Sequence, residues 1–554
     1  MNFIENESAT KLRGGYYTDP DMASFLLRWV LQISPKSLLE PSCGDGVFLR
    51  ALSDLAAQSV KCVTGFEIEK AEAAKASYTA QSLRSTDVEI FSRDFLSWSL
   101  MQLSRAPIFD AVVGNPPFIR YQYLDDTLQE VSQRIFRLFS LPFTKHTNAW
   151  VPFVISSLAL LRPGGRLAMV VPSELLHVLH AESLRVFLTR KCSRVLIFDP
   201  QELWFEDTLQ GAILLLAEKK QTDDLPFKGV GIIPTRSKSF LFDDPEDYFS
   251  KAVYTNGETV NGKWMPALLS ESERRVLRCA RDNPLVFKFE DVADVAVGSV
   301  TGANKFFLVP DSIVNEYSLD EWAHPMFGRS EHVPGVIYDD STVQRNQQLG
   351  MPTNFIWFTD ERLKELPSSV QRYIRLGESQ GLHKRYKCRI REPWYSVPSV
   401  YSTSVGMLKR SHDFPRLILN KVQAYTTDTS YRVNPKRFDS ASLVFSFVNS
   451  LTALTAELEG RHYGGGVLEL VPSEIRKLLI PVQQADEKKT YRLDRLMRKN
   501  IAPELLLAKQ DSATLKKMGF GDEARDELLH AWLRLRLRRQ RQEIQDLETD
   551  HGEA

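Results

Sequence analysis

The part of the sequence that decides the fold is Phe109-Asp110-Ala111-Val112-Val113-Gly114-Asn115-Pro116-Pro117-Phe118. The mainly apolar run before Asn115 predicts a buried strand that ends at a glycine. Because a proline follows Asn115, the Asn115 backbone is kept extended, and the second proline stiffens the next peptide. We therefore expect the Asn115 amide, the Pro116 carbonyl and the Phe118 ring to be held rigidly at a strand end, where they suit a planar amino group. The alternative is a proline turn that only closes the strand.

The length and composition are those of an ordinary globular protein with more than one domain. The chain has 554 residues, 43% of them hydrophobic and 25% charged, so we expect two or three domains. The formal net charge is zero, and nucleic-acid binding must therefore come from local basic patches. The five scattered cysteines predict neither a disulfide framework nor a zinc site. The polar start, Met1 to Arg13, and the short apolar run near Val151–Leu161 predict neither a signal peptide nor a membrane span, and hence a cytoplasmic protein.

A glycine-containing loop lies upstream, between a predicted strand that ends at Glu40 and a predicted helix that begins at Val47. Doubly wound sheets bind nucleotides with this order of elements, at the carboxyl edge of their strands. Gly44 and Gly46 allow the backbone to approach a ligand closely. Leu49 stands where a dinucleotide-binding fingerprint has its third glycine, and Glu40 would repel a pyrophosphate. The loop therefore favours a ligand that carries an ammonium group or hydroxyls.

Two further acidic residues follow predicted strands. Glu67 comes about twenty positions after the glycine loop, where such folds place the acceptor for ribose hydroxyls. Asp94 can accept from an adenine amino group while Phe95 packs on the purine ring. Near the N-terminus, the loop Gly14–Pro20 leads into a helix that Thr18 or Asp19 can cap, and taken alone it predicts only a helix packed on the core.

These pieces occur in the order of one known family. The sequence resembles the gamma-class N6-adenine DNA methyltransferases, the S-adenosylmethionine-dependent adenine methylases of restriction–modification systems, in Tyr16-Tyr17-Thr18, Leu39–Leu49, Glu67, Asp94-Phe95 and Asn115–Phe118. The resemblance extends to at least Ala217 and, more loosely, through the C-terminal half. The sequence departs from the family pattern at Asp19, where the family usually has a proline.

The resemblance implies an α/β fold: a class I, Rossmann-like methyltransferase domain with a mostly parallel, doubly wound sheet, then an α+β target-recognition domain and a helical tail. It implies transfer of a methyl group from S-adenosylmethionine to N6 of an adenine flipped out of duplex DNA, without a metal. Asn115, Pro116, Pro117 and Phe118 would form the catalytic loop, with Phe118 and Phe205 stacked on the target base. The residues assigned to the cofactor are Tyr17, Thr18, Glu40, Pro41, Cys43, Gly44, Gly46, Glu67, Ile68, Asp94, Phe95, Asn115 and Phe153.

We place the catalytic domain at residues 1–220, a linker at 221–265, the target-recognition domain at 266–485 and a helical segment at 486–554. The linker is predicted because this stretch carries Pro, Gly, Asp and Ser without a sustained period. The helical segment ends in a basic helix that contacts the DNA backbone or is a solvated face, and the sequence leaves both open.

Two segments of the C-terminal half are predicted to contact double-stranded DNA. The glycine turn Val297–Phe307 resembles a recurring segment of the family's target-recognition domain. The segment Leu382–Arg391 holds five Lys or Arg residues with Tyr386, which suits phosphates and groove edges, although such cations also blunt strand edges. The segment Arg461–Gly466 either belongs to the same recognition surface or is a hairpin turn. The candidate contact residues are Thr301, Asn304, Lys305, Lys384, Arg385, Lys387, Arg389 and Arg391.

The sequence leaves several functional alternatives open. N4-cytosine DNA methyltransferases are the closest rival, because the same loop can grip that amino group. Release-factor glutamine methylases and ribosomal RNA guanine methylases carry a similar loop but usually lack so long a C-terminal half. A DNA-binding subunit with an inactive methylase fold is disfavoured by the intact Gly44, Gly46, Glu67 and Asn115.

Some structural roles and partners stay expectations. Phe153 and Phe205 are also ordinary candidates for the core. The segment 120–147 is a lid, a DNA contact or a plain surface excursion. The expected partners are double-stranded DNA and a separately encoded restriction endonuclease, with no membrane and a monomeric chain.

Overall fold

The computed structural model describes residues 18–201, 211–359, 362–463 and 465–542. The chain divides into two compact units. The first ends at Leu269 and also takes in Arg541 and Gln542, and the second runs from Ser270 to Gln540.

The first unit is built on a nine-stranded sheet in the order β3-β2-β1-β4-β5-β7-β6-β8-β9. β7 pairs antiparallel with β5 and β6, β9 pairs antiparallel with β8, and the remaining neighbours are parallel. This confirms the mostly parallel, doubly wound sheet. The strand order reverses between β1 and β4, which is where open α/β sheets hold ligands at their carboxyl ends. The strands are β1 (Ser37–Glu40), β2 (Cys62–Phe66), β3 (Asp87–Phe91), β4 (Phe109–Gly114), β5 (Leu161–Pro172), β6 (Cys192–Pro200), β7 (Ala212–Lys219), β8 (Val230–Thr235) and β9 (Tyr254–Thr255).

Helices accompany this sheet, beginning with one near the N-terminus of the described chain. Asp19 caps that helix by accepting from the Asp21 N–H at 2.9 Å, and Pro20 occupies its first position, as expected at a helix start. The central strands have nearly continuous apolar sequences because both faces of the sheet are buried there. The helices are α1 (Pro20–Leu31), α2 (Val47–Asp54), α3 (Lys70–Ala80), α4 (Phe95–Gln102), α5 (Asp126–Leu138), α6 (Trp150–Leu160), α7 (Glu174–His177), α8 (Glu182–Lys191) and α9 (Pro245–Lys251).

The stretch 221–265, predicted to be a linker, is instead part of this unit. It contributes β8, α9 and β9, and the ring of Phe249 in α9 stacks on Trp29 of α1 with centroids 5.0 Å apart. The prediction is wrong because Gly231 and Pro234 interrupt the apolar pattern of β8, and β9 has only 2 residues, so neither strand shows a regular period. A cut at residue 220 would therefore remove two strands of the sheet.

The second unit is α+β, with a five-stranded sheet in the order β11-β19-β16-β18-β14 and three smaller sheets. β20 and β21 form an antiparallel hairpin, which confirms the hairpin interpretation of Arg461–Gly466, although Gly464 lies outside the described residues. The strands are β10 (Val286–Lys288), β11 (Ala293–Val297), β12 (Leu308–Val309), β13 (Ala323–Pro325), β14 (Ile337–Tyr338), β15 (Asn354–Ile356), β16 (Val405–Leu408), β17 (Arg410–Ser411), β18 (Leu417–Asn420), β19 (Ser430–Pro435), β20 (Arg461–Tyr463), β21 (Val467–Glu469) and β22 (Leu479–Pro481).

The helices of the second unit include the C-terminal ones, which pack within it. Within the described ranges no single helix is long and apolar enough to cross a membrane; Ser440–Phe447 and Ser450–Glu459 reach that length and composition only as a pair bent by 76°. The helices are α10 (Glu271–Asp282), α11 (Phe289–Val292), α12 (Asn304–Phe307), α13 (Asp311–Tyr317), α14 (Asp340–Gln348), α15 (Ser368–Ser379), α16 (Tyr386–Arg389), α17 (Ser440–Phe447), α18 (Ser450–Glu459), α19 (Pro472–Ile475), α20 (Glu487–Arg498), α21 (Pro503–Ala513) and α22 (Asp522–Gln540).

The basic helix α22 uses much of its charge inside the unit. Arg534 pairs with Glu273 at 2.6 Å, and Arg536 pairs with Asp413 at 2.6 Å. Arg539 pairs with Glu457 of α18 at 2.7 Å, and both side chains are fully buried. These three arginines therefore hold the helix to its own unit, so for them neither the DNA-backbone interpretation nor the solvated-face interpretation is correct.

Candidate functional site

The glycine loop and the Asn-Pro-Pro-Phe loop are neighbours at the carboxyl edge of the sheet. Leu38 and Leu39 of β1 pair in parallel with Ala111 and Val112 of β4, so the loops that follow the two strands emerge side by side. The hydroxyl of Ser42 donates to the carbonyl oxygen of Asn115 at 2.9 Å and joins the loops directly. The sheet thus brings together two motifs that are more than sixty residues apart in the chain.

The two glycines of the loop have left-handed backbones but face different surroundings. Gly44 has φ of +50° and Gly46 has φ of +88°. A methyl group added at Gly44 would meet no atom within 4 Å, whereas one at Gly46 would lie 3.1 Å from Cα of Ala76 in α3. Gly46 therefore allows close packing of the loop on α3, and Gly44 leaves open space at the strand ends.

Glu67 holds the glycine loop in place. Its Oε2 accepts from the N–H of Gly44 at 3.0 Å, and its Oε1 accepts from the N–H of Glu69 at 2.9 Å. The Cys43 N–H donates to the Phe66 carbonyl at 2.9 Å and adds a second link between the loop and β2. Ile68, the next candidate along the chain, is 60% exposed. The carboxylate predicted to bind ribose hydroxyls thus lies at the loop and also shapes it.

Glu40 is a buried carboxyl group at the end of β1. Its side chain is 1% exposed, and neither oxygen has a hydrogen-bond partner among the residues that the structure describes. Burial raises the pKa of Glu40 well above its ordinary value, and the nearby Asp45 and Glu67 carboxylates raise it further. A buried carboxyl without a partner is costly, so this position favours a ligand that brings a cation or a hydrogen-bond donor.

The next strand ends supply a carboxylate and an aromatic wall. Asp94 caps α4, because its Oδ2 accepts from the Ser97 N–H at 2.6 Å. Phe95 and Phe153 are both buried, and their ring centroids lie 5.3 Å apart. The structure therefore places these two predicted residues together, although the sequence assigned them from segments far apart.

Asn115 is oriented by a residue at the start of the described chain. Its Nδ2 donates to the hydroxyl oxygen of Thr18 at 3.2 Å, and Thr18 is buried. Phe118 is half-buried and packs against the hydrophobic core of this unit. Tyr17 and Phe205, the other two predicted site residues of this unit, lie outside the described residues.

The chain is similar to known restriction–modification methyltransferases. Two family models match the chain: "Eco57I restriction-modification methylase" over residues 53–204, and "Type II methyltransferase M.Eco57I, C-terminal domain" over residues 261–515. The chain is 22% identical over 477 residues to the type II methyltransferase M.AccI of Acinetobacter calcoaceticus, a match that covers 83% of this chain and 84% of that protein. The chain belongs to the restriction–modification DNA methyltransferases.

Further similarities are weaker or shorter. M.HindII, a type II methyltransferase of Haemophilus influenzae, is 23% identical over 330 residues, which cover 57% of this chain and 58% of that protein. Among solved structures, the type IIG restriction endonuclease BpuSI aligns over 96% of this chain and 67% of its own, with 14% identity and a TM-score of 0.43.

The second unit of this methyltransferase brings its two predicted DNA-contact segments together. Arg391 donates to the carbonyl oxygen of Thr301 at 2.9 Å. A methyl group at Gly302 would lie 2.7 Å from Cβ of Lys387, so the glycine turn and α16 are in close contact. The interpretation of Leu382–Arg391 as a strand edge is wrong, since residues 386–389 form a short helix.

The predicted contact residues of this unit separate into two groups by exposure. Thr301 is completely buried and hydrogen-bonded to Asn304, which contradicts the prediction that its side chain contacts DNA. Arg391 is half-buried and bonded to backbone carbonyls, and Asn304 donates to Asp428 at 3.0 Å. The exposed members, which form no ion pair with any described residue, are Lys305, Lys384, Arg385, Lys387 and Arg389.

Ser42 is a further residue of the candidate site that was not among the predicted site residues. It lies inside the quoted glycine loop, yet its link to the Asn115 carbonyl needs the parallel pairing of β1 and β4. In the sequence, the only local indication of this role is a hydroxyl-bearing residue between the end of β1 and Gly44.

Proposed function

We propose that this methyltransferase transfers a methyl group from S-adenosylmethionine to N6 of an adenine extruded from double-stranded DNA, as the modification enzyme of a restriction–modification system. The observation that carries the proposal is the position of Asn115-Pro116-Pro117-Phe118. This loop begins where β4 ends and is tied by Ser42 to the glycine loop at the reversal of strand order.

The glycine-loop side of the site fits S-adenosylmethionine. The unpartnered Glu40 carboxyl suits an ammonium group, and the open space above Gly44 accommodates ligand atoms without a Cβ in the way. Glu67 suits ribose hydroxyls, and Phe95 with Phe153 suits a purine ring. When bound, S-adenosylmethionine supplies an electrophilic methyl group on a sulfonium sulfur.

The reactive loop, Asn115-Pro116-Pro117-Phe118, would hold and polarise the target base. The adenine N6 is a poor nucleophile because its lone pair is delocalised into the ring. The Asn115 side-chain oxygen and the Pro116 carbonyl would accept its two hydrogens, and both bonds strengthen as the nitrogen becomes positive. Thr18 fixes the Asn115 amide in one orientation by accepting from Nδ2. Phe118 would stack on the extruded base, a contact worth about 1–3 kcal/mol.

The second unit supports the DNA part of the proposal. Five exposed Lys and Arg side chains of the glycine turn and the segment 384–389 form no ion pair with the described residues, in a chain whose net charge is zero. Exposed guanidinium and ammonium groups of this kind bind phosphates irrespective of base sequence. We therefore assign DNA binding to this surface, with Lys305, Lys384, Arg385, Lys387 and Arg389 as contacts.

One experiment tests substrate, base and recognition sequence together. The protein is expressed in cells that lack DNA methylases, and their DNA is read by single-molecule sequencing. We expect N6-methyladenine at a defined sequence with wild-type protein and no modification with Asn115→Ala, since removing one preorganised acceptor costs about 10²–10³ in rate. Detection of N4-methylcytosine would show that the same loop acts on cytosine, which is the rival reaction. Unmodified DNA with wild-type protein would refute the proposal.

A further inference from the structure

The segment that follows the reactive loop leaves the sheet and returns to the place where it started. The N–H of Ala149 donates to the carbonyl of Ile119 at 2.9 Å, one residue after Phe118. Between these two residues the chain runs through α5, whose Ile135 and Phe136 are fully buried. The excursion is therefore anchored at both ends beside the reactive loop.

Aromatic contacts hold its two arms, residues 119–121 and 143–147, next to each other. The ring of Phe143 lies 5.9 Å from that of Tyr121 and 5.1 Å from that of Phe136, measured between centroids. The return arm closes in a turn, in which the Thr147 N–H donates to the Thr144 carbonyl at 3.1 Å. Lys145 and His146 lie in this turn, so they are fixed near Arg120.

The exposed charged residues on the two arms are basic. Arg120, Lys145 and His146 are all exposed, and none forms an ion pair with a described residue. The acidic residues of the excursion, Asp125, Asp126 and Glu130, belong instead to the start of α5, where Asp125 caps the helix. Two cations without an ion pair among the described residues therefore lie on the arms that are anchored directly after the reactive loop.

We infer that Arg120 and Lys145 bind the DNA phosphates that flank the extruded nucleotide. This inference rests on the proposed function. Extruding a base rotates its nucleotide about the backbone, so the neighbouring phosphates stay at the mouth of the pocket while the base enters. A guanidinium and an ammonium group held there neutralise those phosphates and contribute affinity that does not depend on base sequence.

The test compares two double variants with wild type. Arg120→Ala/Lys145→Ala removes the cations at the mouth. Lys61→Ala/Arg105→Ala removes the same two residue types at exposed positions just before β2 and β4, on the opposite edge of the sheet. The dissociation constant for duplex DNA containing the target is measured from about 50 to about 200 mM salt, together with cofactor affinity by calorimetry.

Each phosphate contact contributes about 0.9 to the slope of log affinity against log salt. The slope of the mouth variant, Arg120→Ala/Lys145→Ala, should therefore be smaller than that of wild type by about 2. Over that salt range the affinity of wild type for DNA then falls about tenfold more than the affinity of this variant. The mouth variant should bind the cofactor with wild-type affinity. The matched control should keep both the wild-type slope and the wild-type cofactor affinity, and Arg120→Lys/Lys145→Arg should have the wild-type slope. A wild-type slope in the mouth variant would overturn this inference, whereas absence of DNA methylation by the wild-type protein would overturn the proposed function itself.

Discussion

Substitution by alanine should have different effects at the two glycines of the glycine loop, Gly44 and Gly46. Both have positive φ, so alanine at either position costs about 1–2 kcal/mol in the backbone. At Gly46 the new methyl group also presses on Ala76 and Thr79 at 3.1 and 3.3 Å, which adds about 1–3 kcal/mol of overpacking. At Gly44 it enters open space, where we place ligand atoms. Gly46→Ala should therefore destabilise the loop by roughly 2–5 kcal/mol, and Gly44→Ala should chiefly weaken cofactor binding.

Two measurements separate these effects. Hydrogen exchange of peptides from β1, α2 and α3 reports the local free energy of opening, and it avoids assuming that both units unfold together. Calorimetry gives the affinity for S-adenosylmethionine. We expect Gly44→Ala to bind at least about tenfold more weakly, which corresponds to about 1.4 kcal/mol, while its exchange remains closer to wild type than that of Gly46→Ala.

Either of two results would refute the reasoning. Wild-type affinity in Gly44→Ala would show that the open space above this glycine does not receive the cofactor. Equal exchange rates in the two variants would show that the close contact between Gly46 and α3 does not determine the stability of the loop.

Three further predictions follow from buried and exposed charges. Burial raises the pKa of Glu40, so the free energy of unfolding of the ligand-free protein should fall as pH rises above 4.5 and the carboxyl ionises. Glu40→Gln should not show this fall, and urea unfolding from about pH 5 to about pH 8 checks both proteins. Arg539→Met removes the arginine partner of the buried Glu457 carboxylate and leaves it only the His462 ring at 3.5 Å, so it should destabilise the second unit by about 3–5 kcal/mol in urea unfolding; a loss no larger than an exposed pair gives would contradict the assigned role. Lys387→Ala should weaken binding to all DNA sequences and lower the salt slope by about 1, whereas the buried Thr301→Ala should leave the slope unchanged in the same titration.

The sequence by itself determined the doubly wound fold of the first unit and the motifs that meet at the carboxyl edge of its sheet. The apolar run before Asn115, the prolines after it and the glycines after Glu40 act on their own backbone, so their effect is visible locally. The carboxyl ends of parallel strands share one edge, and motifs that follow successive strands must therefore meet. This is why the sequence alone predicts that Glu40, Gly44, Glu67 and Asn115 lie at one edge of the sheet.

Only the tertiary structure decided which of those residues are held, buried or exposed. The short strands β8 and β9 carry no regular period of their own and are defined by their pairing, β8 with β6 and β9 with β8, so the domain boundary at Leu269 was not visible in the sequence. The carbonyl oxygen of Thr301 accepts from Arg391, 90 residues away, and Arg539 pairs with the Glu457 carboxylate, 82 residues away. Burial and ion pairing depend on which distant segments meet, and a local pattern of charge or polarity does not specify that.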